Sequence, residues 1–124
     1  MKLATLRTGF GTSAIRIDGD NVGVELDYED VGQLLRSEDW RKAAQLSGEP
    51  VVFDHADLEA VVPAPGKVIC VGLNYAKHIR EMGREFPEHP TLFIKFADAL
   101  TGPYDDVFIP EYGTQKLDYE GELA

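Results

Sequence analysis

The stretch Val61-Val-Pro-Ala-Pro-Gly-Lys-Val-Ile-Cys-Val-Gly-Leu-Asn-Tyr-Ala-Lys-His-Ile-Arg-Glu-Met82 decides how this chain is organised. Pro63, Pro65 and Gly66 cannot continue a helix or a central strand, so the chain is punctuated there. Beyond them, Val68 to Val71 is an apolar strand-like run, and Gly72-Leu73-Asn74 is a turn. About Tyr75 to Met82 then reads as a helix, with Gly83 as its terminator. We therefore place a small α+β unit over residues 1–65 and a second unit over 66–124.

Upstream, Leu3 to Arg7, Ser13 to Asp18 and Val22 to Leu26 read as short strands. Gly9, Gly11 and the cluster Asp18-Gly19-Asp20-Asn21 are the turns between them. Asp-Gly between two β-like runs is a hairpin signal, because Gly tolerates the positive φ of such turns. From Tyr28 to Leu46 the pattern becomes helical, with Val31, Leu34 and Leu35 on one face and Trp40, Ala43, Ala44 and Leu46 on a second set of turns. Asp30 and Ser37 are candidate N-caps.

Downstream, a polar loop carries Pro87 and Pro90, and Thr91 to Phe96 is the next strand. Turns follow at Thr101-Gly102-Pro103 and Tyr104-Asp105-Asp106. Val107 to Ile109 read as a short strand, and Lys116 to Ala124 as a closing one.

Composition narrows what such a chain can do. At 124 residues, 44% hydrophobic and 27% charged, it has the make-up of a soluble globular protein. Twelve basic against 22 acidic residues give a net charge of −10, which repels a phosphate backbone and anionic membrane alike. No nucleic-acid or membrane partner is expected. Cys70 is the only cysteine, so no intrachain disulfide can form, and a reducing, cytoplasmic setting follows. Its apolar neighbours suggest a buried, inert thiol. No long apolar stretch suggests a signal peptide or a membrane span.

Three constellations carry chemistry. On a strand over Lys116 to Ala124, Asp118, Glu120 and Glu122 share one face, and Leu117, Tyr119 and Leu123 the other. Stacked carboxylates need solvent or a cation, so the face is either a solvated edge or a site for a hard divalent ion. On the helix, Tyr75, Ile79 and Met82 form the apolar stripe, while His78 and Glu81 lie one turn apart on its flank. A carboxylate beside an imidazole fixes its tautomer and raises its basicity; the alternative is an ordinary helix-surface pair. Lys95, beside Phe93 on the strand, either meets an anion or lies on a wet face. Gly72-Leu73-Asn74 lacks the spacing of a dinucleotide-binding loop, and His55 and His89 read as surface or loop histidines.

The series Lys67 to Met82, then Pro90-Thr-Leu-Phe-Ile-Lys95, then Asp118-Tyr-Glu-Gly-Glu-Leu-Ala124 resembles the fumarylacetoacetate hydrolase family. The resemblance covers Lys67 to Ala124; the residues before Pro65 share only the general character of a small N-terminal domain. It implies an α+β protein whose second unit is the start of a mixed β-roll catalytic domain. It implies a metal-dependent hydrolase, lyase or isomerase acting on 2-oxo or 2,4-dioxo acids: acylpyruvate hydrolysis, oxaloacetate decarboxylation or an isomerisation in aromatic catabolism. Glu120 and Glu122 would hold Mg²⁺ or Mn²⁺, His78 and Glu81 would form a proton-shuttling dyad, and Lys95, Asn74 and Tyr75 would line the substrate site. Homodimers are common in the family.

Two positions depart from the family pattern without touching a ligand: Phe96, where proline is frequent, and Gly121, where a larger residue is usual. The family's third carboxylate ligand has no counterpart before Ala124, so the chain is expected to be the N-terminal part of a longer enzyme, weakly active by itself. The alternatives are a non-enzymatic acidic binding module and one part of a two-chain assembly.

Overall fold

The computed structural model describes residues 1–113, 116–119 and 121–123. Four strands, β1 (Lys2–Thr8), β2 (Gly11–Ile17), β3 (Val22–Glu25) and β4 (Pro50–Val52), form an antiparallel sheet in sequential order. The β1–β2 hairpin turns through Gly9-Phe10, and Gly11 takes a φ of 137°, a conformation that a side chain would strain. The turn at Asp18-Gly19-Asp20-Asn21 joins β2 to β3, with the Asp18 and Gly19 amides both donating to Val22 O, but Gly19 closes it without the positive φ that the Asp-Gly signal suggested.

Burial along β1 and β2 is continuous over Ala4–Leu6 and Ser13–Ile15 rather than alternating, because both faces of the sheet are covered. Ala4, Leu6 and Ile15 pack with Phe53 on one face. On the other, Ala14 meets Leu26, Val31, Leu34 and Ala44. The helical run supplying that second layer breaks into α1 (Val31–Leu35) and α2 (Trp40–Ala43). Asp30 caps α1, its carboxylate accepting from Gln33 N at 2.7 Å. Ser37 does not cap α2; Asp39 takes that position without a side-chain cap bond. Strand β4 escaped the sequence reading because it is three residues long and opens on proline. It adds at the sheet's edge, where a missing N–H is tolerated.

Thr5 joins this sheet to the segment before Pro63. Its buried hydroxyl donates to Val61 O at 2.8 Å and accepts from Val31 N at 3.1 Å. Beyond the prolines, β5 (Val68–Gly72) and β6 (Thr91–Lys95) pair antiparallel as a separate two-stranded sheet, and α3 (Ala76–Glu81) lies in the connection between them. Cys70 on β5 is half-buried rather than buried.

Neither Val107 to Ile109 nor the described residues of the closing segment form a strand. A strand exists only through a ladder with a neighbour, and none of the described residues pairs with either run. Among the described residues no helix is long and apolar enough to cross a membrane. The whole is sheet-rich with a few short helices.

Candidate functional site

Helix α3 is short because both ends are set by the backbone. Leu73 holds a φ of 54° in the turn after β5, and Tyr75, extended at φ −117°, precedes the first helical residue. Gly83 at φ 64° ends the helix, with its amide on Arg80 O and the Arg84 amide on Ile79 O. Only Ile79 of the expected apolar stripe is buried; Tyr75 is 42% and Met82 41% exposed. The helix rests on one side chain and leaves His78 facing outward.

The closing segment comes back against this helix. Leu123 N–H donates to the Tyr75 hydroxyl at 3.1 Å, and Tyr75, His78, Tyr119, Gly121 and Glu122 line a cavity of about 170 Å³. Tyr119 and Glu122 therefore share a cavity, whereas strand alternation put them on opposite faces. Without a ladder the period-two rule does not hold. Asp118 accepts from the next residue's amide, Tyr119 N, at 2.9 Å. Glu120 lies outside the described residues.

The structure brings together His78, Glu122 and Tyr75 from the candidate set, while Glu81, Asn74 and Lys95 do not line their cavity. Glu81 turns to Lys77, whose Nζ is 3.8 Å away, rather than hydrogen-bonding His78. Asn74 is exposed in the turn. Lys95 pairs in register with Val68, at the end of the hairpin remote from Gly72, and lines a different cavity with Lys67, Ile69, Ile94 and Phe96.

The strongest electrostatic coupling lies elsewhere, and the sequence reading missed it. Arg7 Nε meets Glu59 at 2.7 Å and Nη1 meets Asp105 at 2.7 Å, across separations of 52 and 98 residues. Gly102 N–H donates to the same Asp105 carboxylate at 2.7 Å. Hydrogen bonding to Arg7 holds the Asp105 and Glu59 carboxyls below their usual range, and those carboxylates, Asp105 foremost, raise the guanidinium's affinity for its proton. No local pattern signals contacts that distant. Tyr104 adds a second tie, stacking on His55 with ring centroids 5.6 Å apart, while His55 Nε2 lies 2.8 Å from Asp20 O.

Among the described residues no three His, Cys, Asp or Glu side chains gather as a metal-holding group. The donor chemistry nevertheless suits a hard divalent cation: the Glu122 carboxylate borders a small cavity whose other polar groups are an imidazole and two phenols.

Against known proteins, residues 67–124 match the family model described as fumarylacetoacetate (FAA) hydrolase, C-terminal. The chain belongs, through its second half, to the fumarylacetoacetate hydrolase family. A family member from Bos taurus, the mitochondrial oxaloacetate tautomerase FAHD2A, is 49% identical over 65 residues, covering 52% of this chain and 20% of that protein. The Homo sapiens FAHD2B, of the same description, is 43% identical over 82 residues, or 66% of this chain and 25% of its own length. An uncharacterized protein from Archaeoglobus fulgidus is 43% identical over 86 residues, 64% of this chain and 34% of that one. The chain thus spans between a fifth and about a third of these relatives. The solved structure of an uncharacterized protein from Mycobacterium abscessus superposes with a TM-score of 0.61 at 28% identity, covering 92% of this chain and 40% of that one.

Proposed function

We propose that this family member contributes the proton-transfer side of a divalent-metal site for a small 2-oxo acid, with keto–enol conversion of oxaloacetate as the first activity to test. The observation that carries the proposal is the single cavity joining His78 to Glu122, 44 positions apart in the numbering and within the matched segment. A bound Mg²⁺ or Mn²⁺ would supply a Lewis acid that stabilises negative charge on the substrate's keto oxygen. Glu122, with Glu120 as the second expected ligand, would hold it.

The remaining steps belong to the chain's own groups. A ring nitrogen of His78 would accept the proton from the carbon next to the keto group. As that C–H bond breaks, its electron pair forms the C=C bond while the C=O π pair moves onto oxygen, and the imidazolium would return the proton to that oxygen, giving the enol with no net gain or loss of atoms. Glu81, whose Oε1 lies 3.8 Å from Lys77 Nζ, would orient His78 through its other oxygen. Acylpyruvate hydrolysis and decarboxylation use the same substrate class, and we place them second because the Bos taurus and Homo sapiens relatives above are named as tautomerases.

The test uses the full-length protein with oxaloacetate and Mn²⁺. His78→Ala is expected to lower turnover roughly 100-fold or more, as loss of a general base does, while sparing Mn²⁺ affinity. Glu122→Gln is expected to weaken Mn²⁺ binding. Turnover in His78→Ala close to that of the unaltered protein would refute the proposal.

The two-unit division at residues 65 and 66 belongs to the same reading, supported by two sheets that share no strand. So does assembly as a cytoplasmic homodimer with the β-roll completed by further strands; Leu92, Ile94 and Phe96, all more than 60% exposed on or beside β6, support an apolar partner surface there.

A further inference from the structure

The Tyr75 hydroxyl bridges 48 residues to accept the Leu123 amide at 3.1 Å. At its other end Tyr75 is fixed by the main chain: its carbonyl accepts Ile79 N–H at 3.0 Å, and Ile79 is the buried anchor of α3. One residue therefore ties the helix that carries His78 to the backbone position immediately after Glu122. A tyrosine suits the task, because two side-chain torsions place a rigid ring, and the ring itself forms part of the cavity wall. Accepting from Leu123 also leaves the phenol's own proton free to donate into that cavity.

We infer that Tyr75 is a positioning residue which, by receiving the Leu123 amide, holds the Glu122 carboxylate against His78. This rests on the function proposed above, since it gives that site a device for assembling two distant segments. It also gives the Tyr75 hydroxyl a protein partner, where the family resemblance suggests only a substrate contact. Because the bond faces solvent, water replaces it when it is lost, and the effect falls on the site's geometry rather than on global stability.

Tyr75→Phe in the full-length protein tests this with three readouts. The variant should melt where the unaltered protein melts, since the side chain is 42% exposed and keeps its ring. Amide hydrogen exchange at Leu123 should accelerate, and affinity for Mn²⁺ alone should fall roughly 10-fold, the low end for losing a group that orients a ligand. Unchanged exchange at Leu123, or unchanged Mn²⁺ affinity, would overturn the inference. The two proposals fail separately. Turnover surviving in His78→Ala, with Tyr75→Phe still weakening Mn²⁺, would sink the function and leave the positioning role. Loss of turnover in His78→Ala, with Tyr75→Phe silent, would sink the positioning role alone.

Discussion

Replacing Thr5 by valine should cost this chain about 2 kcal/mol, although the two side chains have nearly the same shape. Thr5 is fully buried, and its hydroxyl serves two partners at once: it donates to Val61 O and accepts from Val31 N. The Val31 amide is one of the orphan donors at the start of α1, and it has no water to turn to because that bond is buried. Leaving a buried amide unpaired costs about 1–3 kcal/mol. The Val61 carbonyl belongs to a half-exposed residue and can find water, so its loss adds about 0.5–1 kcal/mol at most. The added methyl returns up to about 0.8 kcal/mol. The net is about 2 kcal/mol, or roughly 8 °C in melting temperature for a domain of this size. Urea titration at neutral pH, followed by circular dichroism, would measure it. Thr5→Ser is the control: it keeps both hydrogen bonds and loses one methyl, so it should cost about 1 kcal/mol. A valine variant within 0.5 kcal/mol of the unaltered chain, or one more stable than the serine variant, would refute the reasoning.

The Arg7 clasp gives a pH-dependent expectation. Glu59 and Asp105 bind protons less tightly folded than unfolded, so their contribution is present above the ordinary carboxylate range of about 4 and fades as pH falls through their lower folded values. Arg7→Gln should therefore lower the urea midpoint at pH 7 and converge on the unaltered chain near pH 2; a gap constant across that range would count against the clasp. Gly102→Ala should disrupt the same clasp, since a Cβ there would sit 2.5 Å from Leu58 O and 2.8 Å from Arg7 Nη2, and a crystal or NMR structure with Arg7 still forked on Asp105 would contradict this. Asp30→Ala should cost about 1 kcal/mol through loss of the Gln33 cap bond. Ser37→Ala, at the position expected but not found to cap, should stay within about 0.5 kcal/mol; equal losses in thermal melts would show the cap assignment to be wrong.

What the sequence revealed tracks the range of the interactions responsible. The hairpins β1–β2 and β2–β3, the strands β5 and β6, the cap at Asp30 and the stop at Gly83 follow from residues within a few positions of one another. Propensity and turn chemistry act over that distance. Strand β4 failed because three residues carry too little periodicity to register, and its place is fixed by Val22 and Val24 across the sheet. The Arg7 clasp and the Thr5 bridge failed for the same reason at longer range: nothing beside Arg7 indicates Glu59 or Asp105, and a threonine on a strand looks like any β-branched residue. The described residues of the closing segment, 116–119 and 121–123, differ from expectation for another reason. Their alternation is a real pattern, but a pattern becomes a strand only when a neighbour supplies the ladder.

The candidate site obeys the same rule, and Lys95 shows it most clearly. Motif order places Lys95 between the histidine helix and the acidic segment, which suggests one pocket for all three. The ladder decides otherwise. Lys95 opposes Val68 and Thr91 opposes Gly72, so four steps of about 3.3 Å, roughly 13 Å, separate Lys95 from the end of the hairpin where the chain departs toward α3. His78 instead lines one cavity with Glu122, beside a hydrogen bond between residues 75 and 123 that no motif spacing encodes. In this arrangement Lys95 lines a different cavity from the one that His78 and Glu122 share. To take part in binding there, the Lys95 ammonium would have to reach from the cavity it lines to the one beside His78. Mn²⁺ paramagnetic broadening is the direct check, since an ion held by Glu122 should broaden the His78 ring resonances strongly and those of the Lys95 ammonium weakly. Equal broadening of both would mean that the bound protein closes around its ligand, and that the hairpin end belongs to the site after all.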